Sequence, residues 1–188
     1  MRIVGGEFKG RAIAAPAGRD TRPTGDRARE SVFNVLAHAA WSPGLEGRRV
    51  LDLFAGSGAL GLEAMSRGAA FVLFVETDAA ARGATRDNIE ALGLFGSTRL
   101  HRRDATDLGV KPAGLGEPFD LVFLDPPYNQ KLGERALAKL GRRGGWITAD
   151  ALIVFECAAE ETPVLPGYAT LEERVYGAAK VLFLRPAS

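Results

Sequence analysis

Cysteine and histidine are nearly absent from this sequence, and their scarcity excludes several classes of protein. Of 188 residues, one is a cysteine, Cys157, and two are histidines, His38 and His101. A lone cysteine forms no internal disulfide, and so few thiols and imidazoles do not make a typical zinc site, so we expect no bound metal. Cys157 ends the apolar run ALIVFEC, where we expect a buried, unreactive thiol.

Long apolar runs are also missing, which argues against a membrane protein. No run approaches the roughly 20 residues that cross a bilayer, and the first residues, MRIVGGEFKGR, lack the apolar core of a signal peptide. We therefore expect a cytoplasmic protein with no membrane contact. With 46% hydrophobic and 25% charged residues over this length, the composition indicates one globular domain with at most a small appendage, and we expect a monomer.

Charge is balanced overall but is concentrated near the beginning of the chain. The formal net charge is +1, whereas residues 1–22 contain five basic and two acidic side chains. Clustered basic side chains bind nucleic-acid phosphates, and a solvated surface arm is the alternative explanation. The RNA contacts that we predict from this region are Arg2, Lys9, Arg11, Arg22 and, slightly further along, Arg29.

The order of apolar and polar residues predicts a hairpin followed by an α/β domain. Residues 2–15 contain two strand-like runs, RIVGG and RAIAA, around a turn at residues 7–10. A helix is predicted over residues 26–40. From residue 50 onward strand and helix patterns alternate, which indicates a parallel sheet with right-handed crossovers. The last two runs, residues 170–176 and 180–184, flank Gly177 and predict an antiparallel hairpin.

A glycine-rich turn at residues 50–62, VLDLFAGSGALGL, is the strongest local signal in the chain. A strand enters it and a helix leaves it, and Gly56 and Gly58 permit positive φ and the close approach of a ligand. With Gly61 they also match G-x-G-x-x-G, so a dinucleotide-binding unit is possible. Glu76 ends the next strand-like run, FVLFVE, where a carboxylate can accept both hydroxyls of a ribose.

Two further aspartates lie where such a ligand would extend. Asp104 follows the third predicted strand in RRDAT, so its carboxylate could accept an adenine amino group while the N–H of Ala105 meets a ring nitrogen. Asp52 lies inside the first strand and could orient the glycine turn or reach the amino group of the ligand. A turn or helix cap is the alternative role for each aspartate.

The residues Asp125, Pro126, Pro127 and Tyr128 directly follow the fourth predicted strand, at the edge where open α/β sheets bind ligands. Two prolines end the sheet and fix an extended loop. The Asp125 carboxylate and the Pro126 carbonyl can accept the two N–H hydrogens of an exocyclic amine, while the Tyr128 ring stacks on the base. A simple proline turn explains the prolines but not the acid and the aromatic ring beside them.

These motifs, in this order, resemble those of class I S-adenosylmethionine-dependent methyltransferases that methylate amino groups. GGEFKGR near the start and RPTGDRARESVFNVL before the glycine turn extend the resemblance, over nearly the whole chain, to the RsmD-type family of bacterial 16S ribosomal RNA guanine-N2 methyltransferases. The resemblance implies a Rossmann-like α/β fold with a seven-stranded, mostly parallel sheet, a C-terminal antiparallel hairpin and an N-terminal β-hairpin extension. We therefore divide the chain into an extension, residues 1–22, and a methyltransferase domain, residues 23–188.

The resemblance also implies roles for individual residues, with S-adenosylmethionine as cofactor and 16S rRNA, in the 30S subunit or an assembly intermediate, as substrate. The catalytic residues would be Asp125, Pro126 and Tyr128, with Pro127 and Tyr128 against the RNA base. The residues in contact with the cofactor would be Asp52, Phe54, Gly56, Ser57, Gly58, Glu76, Asp104, Ala105, Asp125 and Thr24. The stretch RPTGDRARE would cover the methionine end of the cofactor, with Arg22, Thr24 and Arg29 as the polar candidates.

Other functions share some of these motifs. A DNA or RNA amino-methyltransferase acting on adenine N6 or cytosine N4 also carries the DPPY sequence, although no target-recognition domain is evident here. A dehydrogenase would use the glycine turn but leave residues 125–128 without a role. A protein-glutamine methyltransferase more usually has Asn in place of Asp125. A non-catalytic RNA-binding module would retain RNA without methyl transfer.

Overall fold

A computed structural model describes residues 1–17 and 25–188; at Arg142 it describes the backbone alone. The strands are β1 (Arg49–Leu53), β2 (Phe71–Val75), β3 (Thr98–His101), β4 (Phe119–Leu124), β5 (Ile147–Ala158), β6 (Tyr168–Tyr176) and β7 (Ala179–Pro186). The α-helices are α1 (Asp26–His38), α2 (Ala59–Ser66), α3 (Ala79–Leu92) and α4 (Leu132–Leu140). Short 3-10 helices span Phe95–Ser97, Ala113–Leu115 and Arg142–Gly144. No helix among the described residues is long and apolar enough to cross a membrane.

The seven strands form one sheet in the order β3-β2-β1-β4-β5-β7-β6. Strands β1 to β5 pair in parallel, and β7 pairs antiparallel with both β5 and β6. The order reverses between β1 and β4, and the carboxyl ends of the strands at such a reversal form the usual ligand crevice of an open α/β sheet. The predicted parallel sheet with a terminal antiparallel pair is confirmed.

Both faces of the sheet are covered because its central strands are apolar on both sides. One face packs against α1, α2 and α3 through residues such as Phe33, Leu62 and Ile89, and we call it the α1–α3 face. The opposite face packs against α4 and Trp146. The Cys157 side chain lies in this second core, and burial raises the pKa of its thiol to about 11, as expected of an unreactive cysteine.

The predicted N-terminal hairpin is reduced to a single antiparallel bridge, Arg2 to Ala12. Two causes are visible. Gly6 and Gly10 have φ of 78° and 86°, which curls the intervening chain into turns. The N–H groups of Val4 and Gly5 donate to the Glu63 carboxylate at 3.0 and 2.9 Å rather than to a partner strand. Residues 1–17, which we call the N-terminal segment, therefore form a bridged loop on α2.

Glu63 is the anchor of the N-terminal segment. Its side chain is fully buried, and Arg67 Nε, one helical turn away, donates to its Oε1 at 2.9 Å. Nearby, the Ser66 hydroxyl donates to the Gly5 carbonyl at 2.6 Å. A buried carboxylate needs this degree of pairing, because removing a charge from water is otherwise costly. The attachment places the N-terminal segment beside the helix that follows the glycine turn.

Candidate functional site

The glycine turn leaves β1 through three residues with left-handed backbone. Phe54, Gly56 and Gly58 have φ of 57°, 60° and 81°. A bulky residue such as Phe54 seldom adopts this conformation, and such strain is concentrated at functional sites. A β-carbon added to Gly56 would meet no atom within 4 Å, whereas one on Gly58 would come within 3.2 Å of the Phe74 ring. Gly56 therefore faces open space, and Gly58 permits packing against the sheet.

Helix α3 holds the glycine turn in place. The Thr85 hydroxyl donates to the Gly56 carbonyl at 2.7 Å, and the Asn88 amide donates to the Ser57 carbonyl at 2.9 Å. Both side chains are buried. The sequence interpretation did not identify them, although two polar residues on the inward face of an amphipathic helix were a signal that the helix supports a site.

Glu76 is fixed by three backbone N–H groups. Its Oε2 accepts from Gly56 at 2.8 Å, and its Oε1 accepts from Thr77 at 2.9 Å and Asp78 at 3.0 Å. A carboxylate has about four lone-pair positions, so about one remains for a ligand hydroxyl, fewer than the two that the sequence suggested. The same bonds tie the end of β2 to the glycine turn.

Asp52 is buried in β1 and accepts the N–H of Gly61, in the first turn of α2, at 3.0 Å. Burial raises the pKa of its carboxyl well above the ordinary value, although the Gly61 hydrogen bond opposes this shift. The nearby carboxylates of Asp125 and Glu76 raise the pKa further. A cationic ligand group beside these three acids would relieve their mutual repulsion.

Asp104 and Ala105 follow β3 as predicted. The Oδ1 of Asp104 accepts from both the N–H and the hydroxyl of Thr106, at 2.8 and 2.7 Å. These hydrogen bonds lower the pKa of Asp104, so its exposed carboxylate is ionised at neutral pH. The Ala105 residue is buried beside it.

The loop that follows β4 carries the proline pair. Asp125 and Tyr128 are half-buried, Pro126 is buried and Pro127 is exposed. The Tyr128 hydroxyl donates to Oε1 of Glu156 in β5. The sequence interpretation missed Glu156, although it is the only charged residue in the run ALIVFECA and that interruption was the available signal.

A cavity of about 510 Å³ joins these elements at the carboxyl edge of the sheet, a volume typical of small-molecule sites, which span about 300 to 1,000 Å³. The predicted residues that line it are Arg29, Asp52, Phe54, Gly56, Ser57, Glu76, Asp104, Ala105, Asp125 and Pro127. Gly58, Pro126 and Tyr128 do not line it. Its other walls include parts of α1, α2 and α4, the N-terminal segment, Glu156 of β5 and the hairpin of β6 and β7. The described residues contain no cluster of acids, histidines or cysteines that could hold a metal ion.

The predicted RNA contacts divide into two groups. Arg2, Lys9 and Arg11 are exposed on the N-terminal segment, and we call them the basic patch. Arg29 is instead buried in the cavity wall, where its Nη2 donates to Asp26 at 2.9 Å and its Nε lies 3.6 Å from Glu63. This pairing corrects the expectation that Arg29 faces RNA phosphates. Two other predicted site residues, Arg22 and Thr24, lie outside the described residues.

Comparisons with known proteins agree over nearly the full length. The family model described as conserved hypothetical protein 95 matches residues 1–185. Ribosomal RNA small subunit methyltransferase D of Escherichia coli K12 is 38% identical over 179 residues, which are 94% of this chain and 85% of the relative. Putative rRNA methyltransferase YlbH of Bacillus subtilis is 41% identical over 157 residues, 83% of this chain and 82% of the relative.

Solved structures agree with the sequence relatives. The putative methyltransferase yhhF from Escherichia coli superposes with a TM-score of 0.81 at 34% identity, covering 99% of this chain and 97% of that one. A hypothetical protein from Thermus thermophilus superposes with a TM-score of 0.72 at 32% identity, covering 97% and 98%. The chain therefore belongs to the RsmD family of class I S-adenosylmethionine-dependent methyltransferases.

Proposed function

We propose that this chain transfers a methyl group from S-adenosylmethionine to the exocyclic N2 of one guanine in 16S rRNA. The observation that carries the proposal is that Asp125 and Pro127 of the DPPY loop line the same cavity as Glu76 and Asp104. A ribose-binding acid, an adenine-binding acid and an amine-binding loop at one sheet edge fit a nucleoside cofactor beside a planar base. The relatives named as small-subunit rRNA methyltransferases support the choice of substrate.

The cavity fits S-adenosylmethionine chemically as well as in size. Gly56 leaves its side open, so the cofactor can approach the backbone of the glycine turn. Glu76 would accept a ribose hydroxyl and Asp104 the adenine amino group. Asp52, with its acidic neighbours Glu76 and Asp125, would stabilise the cationic methionine end. Arg29, in the cavity wall, would pair with the methionine carboxylate.

The chemistry requires positioning more than acid or base strength. When bound, S-adenosylmethionine supplies a methyl group whose bond to a cationic sulfur breaks as the bond to nitrogen forms, and the nitrogen then loses one proton. The Asp125 carboxylate and the Pro126 carbonyl would accept the two N–H hydrogens and turn the nitrogen lone pair out of conjugation with the ring. The proton would leave along the Asp125 hydrogen bond. Correct alignment of this kind can lower a barrier by about 7 to 11 kcal/mol.

The base would be held by the ring of Tyr128 and by Pro127, after rotation out of its RNA stack. The exposed basic patch would contact RNA phosphates, which positions the substrate without reading its sequence. We further propose that the enzyme acts as a monomer on the 30S subunit or an assembly intermediate, and therefore in the cytoplasm. The N-terminal segment carries the basic patch and also lines the cavity, through Met1, Ala15 and Pro16.

The test is methyl transfer from labelled S-adenosylmethionine to 30S particles lacking the modification, followed by mass spectrometry of the digested RNA. N2-methylguanine at one position is expected. Asp125→Ala should abolish transfer while the cofactor still binds, because the amine loses its acceptor whereas the cofactor keeps Glu76 and Asp104. Asp120→Ala is the matched control, since Asp120 lies at the opposite end of β4 and bonds Arg48 and Arg49.

Three results would contradict the proposal. Methyl on adenine N6 or cytosine N4 would favour the other amino-methyltransferases, and binding of NADH would favour a dehydrogenase. RNA retention without any methyl transfer would indicate a binding module. Full activity in Asp125→Ala would reject the mechanism even with the expected product.

A further inference from the structure

We propose that Glu156 selects guanine by accepting the N1–H of the target base while Asp125 accepts one N2–H. The inference rests on the proposed function, because it assigns the base specificity of that same site. It concerns a residue that the DPPY sequence does not include and that reaches the site from a neighbouring strand.

The register of the sheet sets Glu156 beside Asp125. Strands β4 and β5 pair in parallel with Leu124 opposite Phe155, so the next residues on each chain are also neighbours, with adjacent strands about 4.8 Å apart. Phe123 and Val154 contribute to the core of the α1–α3 face, whereas Leu124 and Phe155 contribute to the other core. Because side chains alternate along a strand, both carboxylates point to the α1–α3 face, and both line the cavity.

Glu156 is a carboxylate among apolar residues, so it needs hydrogen-bond donors. It interrupts an apolar run in β5, and the adjacent strand β7 sets the apolar Val181 directly beside it, with Ala179 also lining the cavity. A carboxylate in such a place costs free energy unless hydrogen-bond donors satisfy it. Tyr128 supplies one donor to Oε1. With about four lone-pair positions, the carboxylate can accept the Tyr128 hydroxyl and a base N–H together.

Only guanine matches two adjacent carboxylates. On its pairing edge the N1–H and the N2 amino group are neighbouring donors, whereas adenine and cytosine set a ring-nitrogen lone pair beside their amino groups. Glu156 would therefore stabilise guanine and repel the other two bases. A site built to pair with a substrate donor typically rejects analogues that lack the donor by about 100-fold or more. The selectivity would come from Glu156, and the alignment for methyl transfer from Asp125 and Pro126.

The experiment uses 30S particles in which the target guanosine is replaced by 2,6-diaminopurine riboside, which keeps the N2 amino group but has a lone pair at N1. The wild-type protein should prefer guanine by about 100-fold or more in kcat/KM. Glu156→Gln keeps an acceptor for Tyr128 and gains an N–H donor for N1, so the preference should fall to about tenfold or less. Cofactor affinity, measured by calorimetry, should stay within about threefold of wild type.

Two further variants separate recognition from structure. Tyr128→Phe keeps the Glu156 carboxylate, so the base preference should stay at the wild-type value even if the overall rate falls. If Glu156→Gln does not fold, Glu156→Ala should slow guanine methylation while leaving the diaminopurine rate within about threefold. Equal preferences in wild type and Glu156→Gln would overturn the inference, as would loss of preference in Tyr128→Phe. Failure of wild type to methylate guanine N2 would instead overturn the proposed function.

Discussion

Replacing Glu76 by alanine should weaken cofactor binding and also loosen the glycine turn, and the structure separates the two effects. The carboxylate holds three backbone N–H groups at 2.8 to 3.0 Å, one of them from Gly56 in the turn. Each N–H left to water costs about 1 kcal/mol, so unfolding should become easier by about 3 kcal/mol. For a domain of this size that corresponds to a fall in Tm of about 6 to 12 °C.

Loss of the ribose contact adds a separate change in affinity. A hydrogen bond to a charged acceptor is worth about 1.5 to 3 kcal/mol, which is a loss of about 10- to 150-fold in the affinity for S-adenosylhomocysteine. Calorimetry should be carried out near 15 °C, where Glu76→Ala remains folded. Asp78→Ala is the matched control, since Asp78 caps α3 through the Ala81 N–H at 2.8 Å and does not line the cavity. It should lose about 1 kcal/mol of stability and no affinity.

The ligand can be altered as well as the protein. The 2′-deoxy and 3′-deoxy analogues of S-adenosylhomocysteine each lack one ribose hydroxyl. At least one of them should bind wild type about tenfold more weakly than the parent, yet bind Glu76→Ala as well as the parent does, because the partner of the missing hydroxyl is already gone. Equal penalties in the two proteins, for both analogues, would show that Glu76 only supports the turn and would refute its role as a ribose ligand.

Three other outcomes are expected. Replacing all three residues of the basic patch by glutamate should leave cofactor binding intact. The slope of log affinity for 30S RNA against log salt concentration should fall by about one unit per lost phosphate contact, and an unaltered slope would mean that the patch has only a structural role. Gly61→Ala places a β-carbon 2.5 Å from the Phe74 ring and should lower the free energy of unfolding by about 1 to 3 kcal/mol. Gly83→Ala, which has open space in α3, should raise it by about 0.5 to 1 kcal/mol. Equal effects in thermal unfolding would contradict the packing argument. Because burial raises the pKa of Asp52, the native state keeps a proton that the unfolded state has lost as pH rises above the ordinary aspartate pKa, so stability falls with rising pH until the raised pKa is passed. Asp52→Asn should therefore gain stability relative to wild type as the pH rises above the ordinary aspartate pKa, and a difference that stays constant with pH would count against a raised pKa.

The sequence predicted the central sheet because its strands are apolar runs of the right length, and the glycine turn because Gly56 and Gly58 follow one of them directly. The predicted N-terminal hairpin is reduced to one bridge because the group that competes for its backbone N–H groups is distant in sequence. The N–H groups of Val4 and Gly5 find Glu63, 59 and 58 residues away, and local strand propensity contains no information about such a partner.

Side-chain roles in the candidate site were predictable where the backbone fixes them and not where tertiary pairing does. Glu76 and Asp104 follow strands, so their arrival at the ligand edge follows from the fold alone. Arg29 is a basic residue of the kind that contacts RNA, but its side chain is buried because it pairs with the buried Glu63. Glu156 became visible only when the register of β4 and β5 set it beside Asp125, because no spacing along the chain connects the two.

Glu63 attaches the N-terminal segment to the helix that follows the glycine turn, so the two are fixed relative to each other. Helix α2 begins directly after Gly58. One turn later, the buried carboxylate of Glu63 accepts backbone N–H groups from the segment that carries the basic patch. An RNA docked on the patch would therefore be held at a height above the sheet that the protein sets in advance. An RNA whose phosphates fit the basic patch, but whose target base lies at a different distance from them, would bind without placing that base beside Asp125.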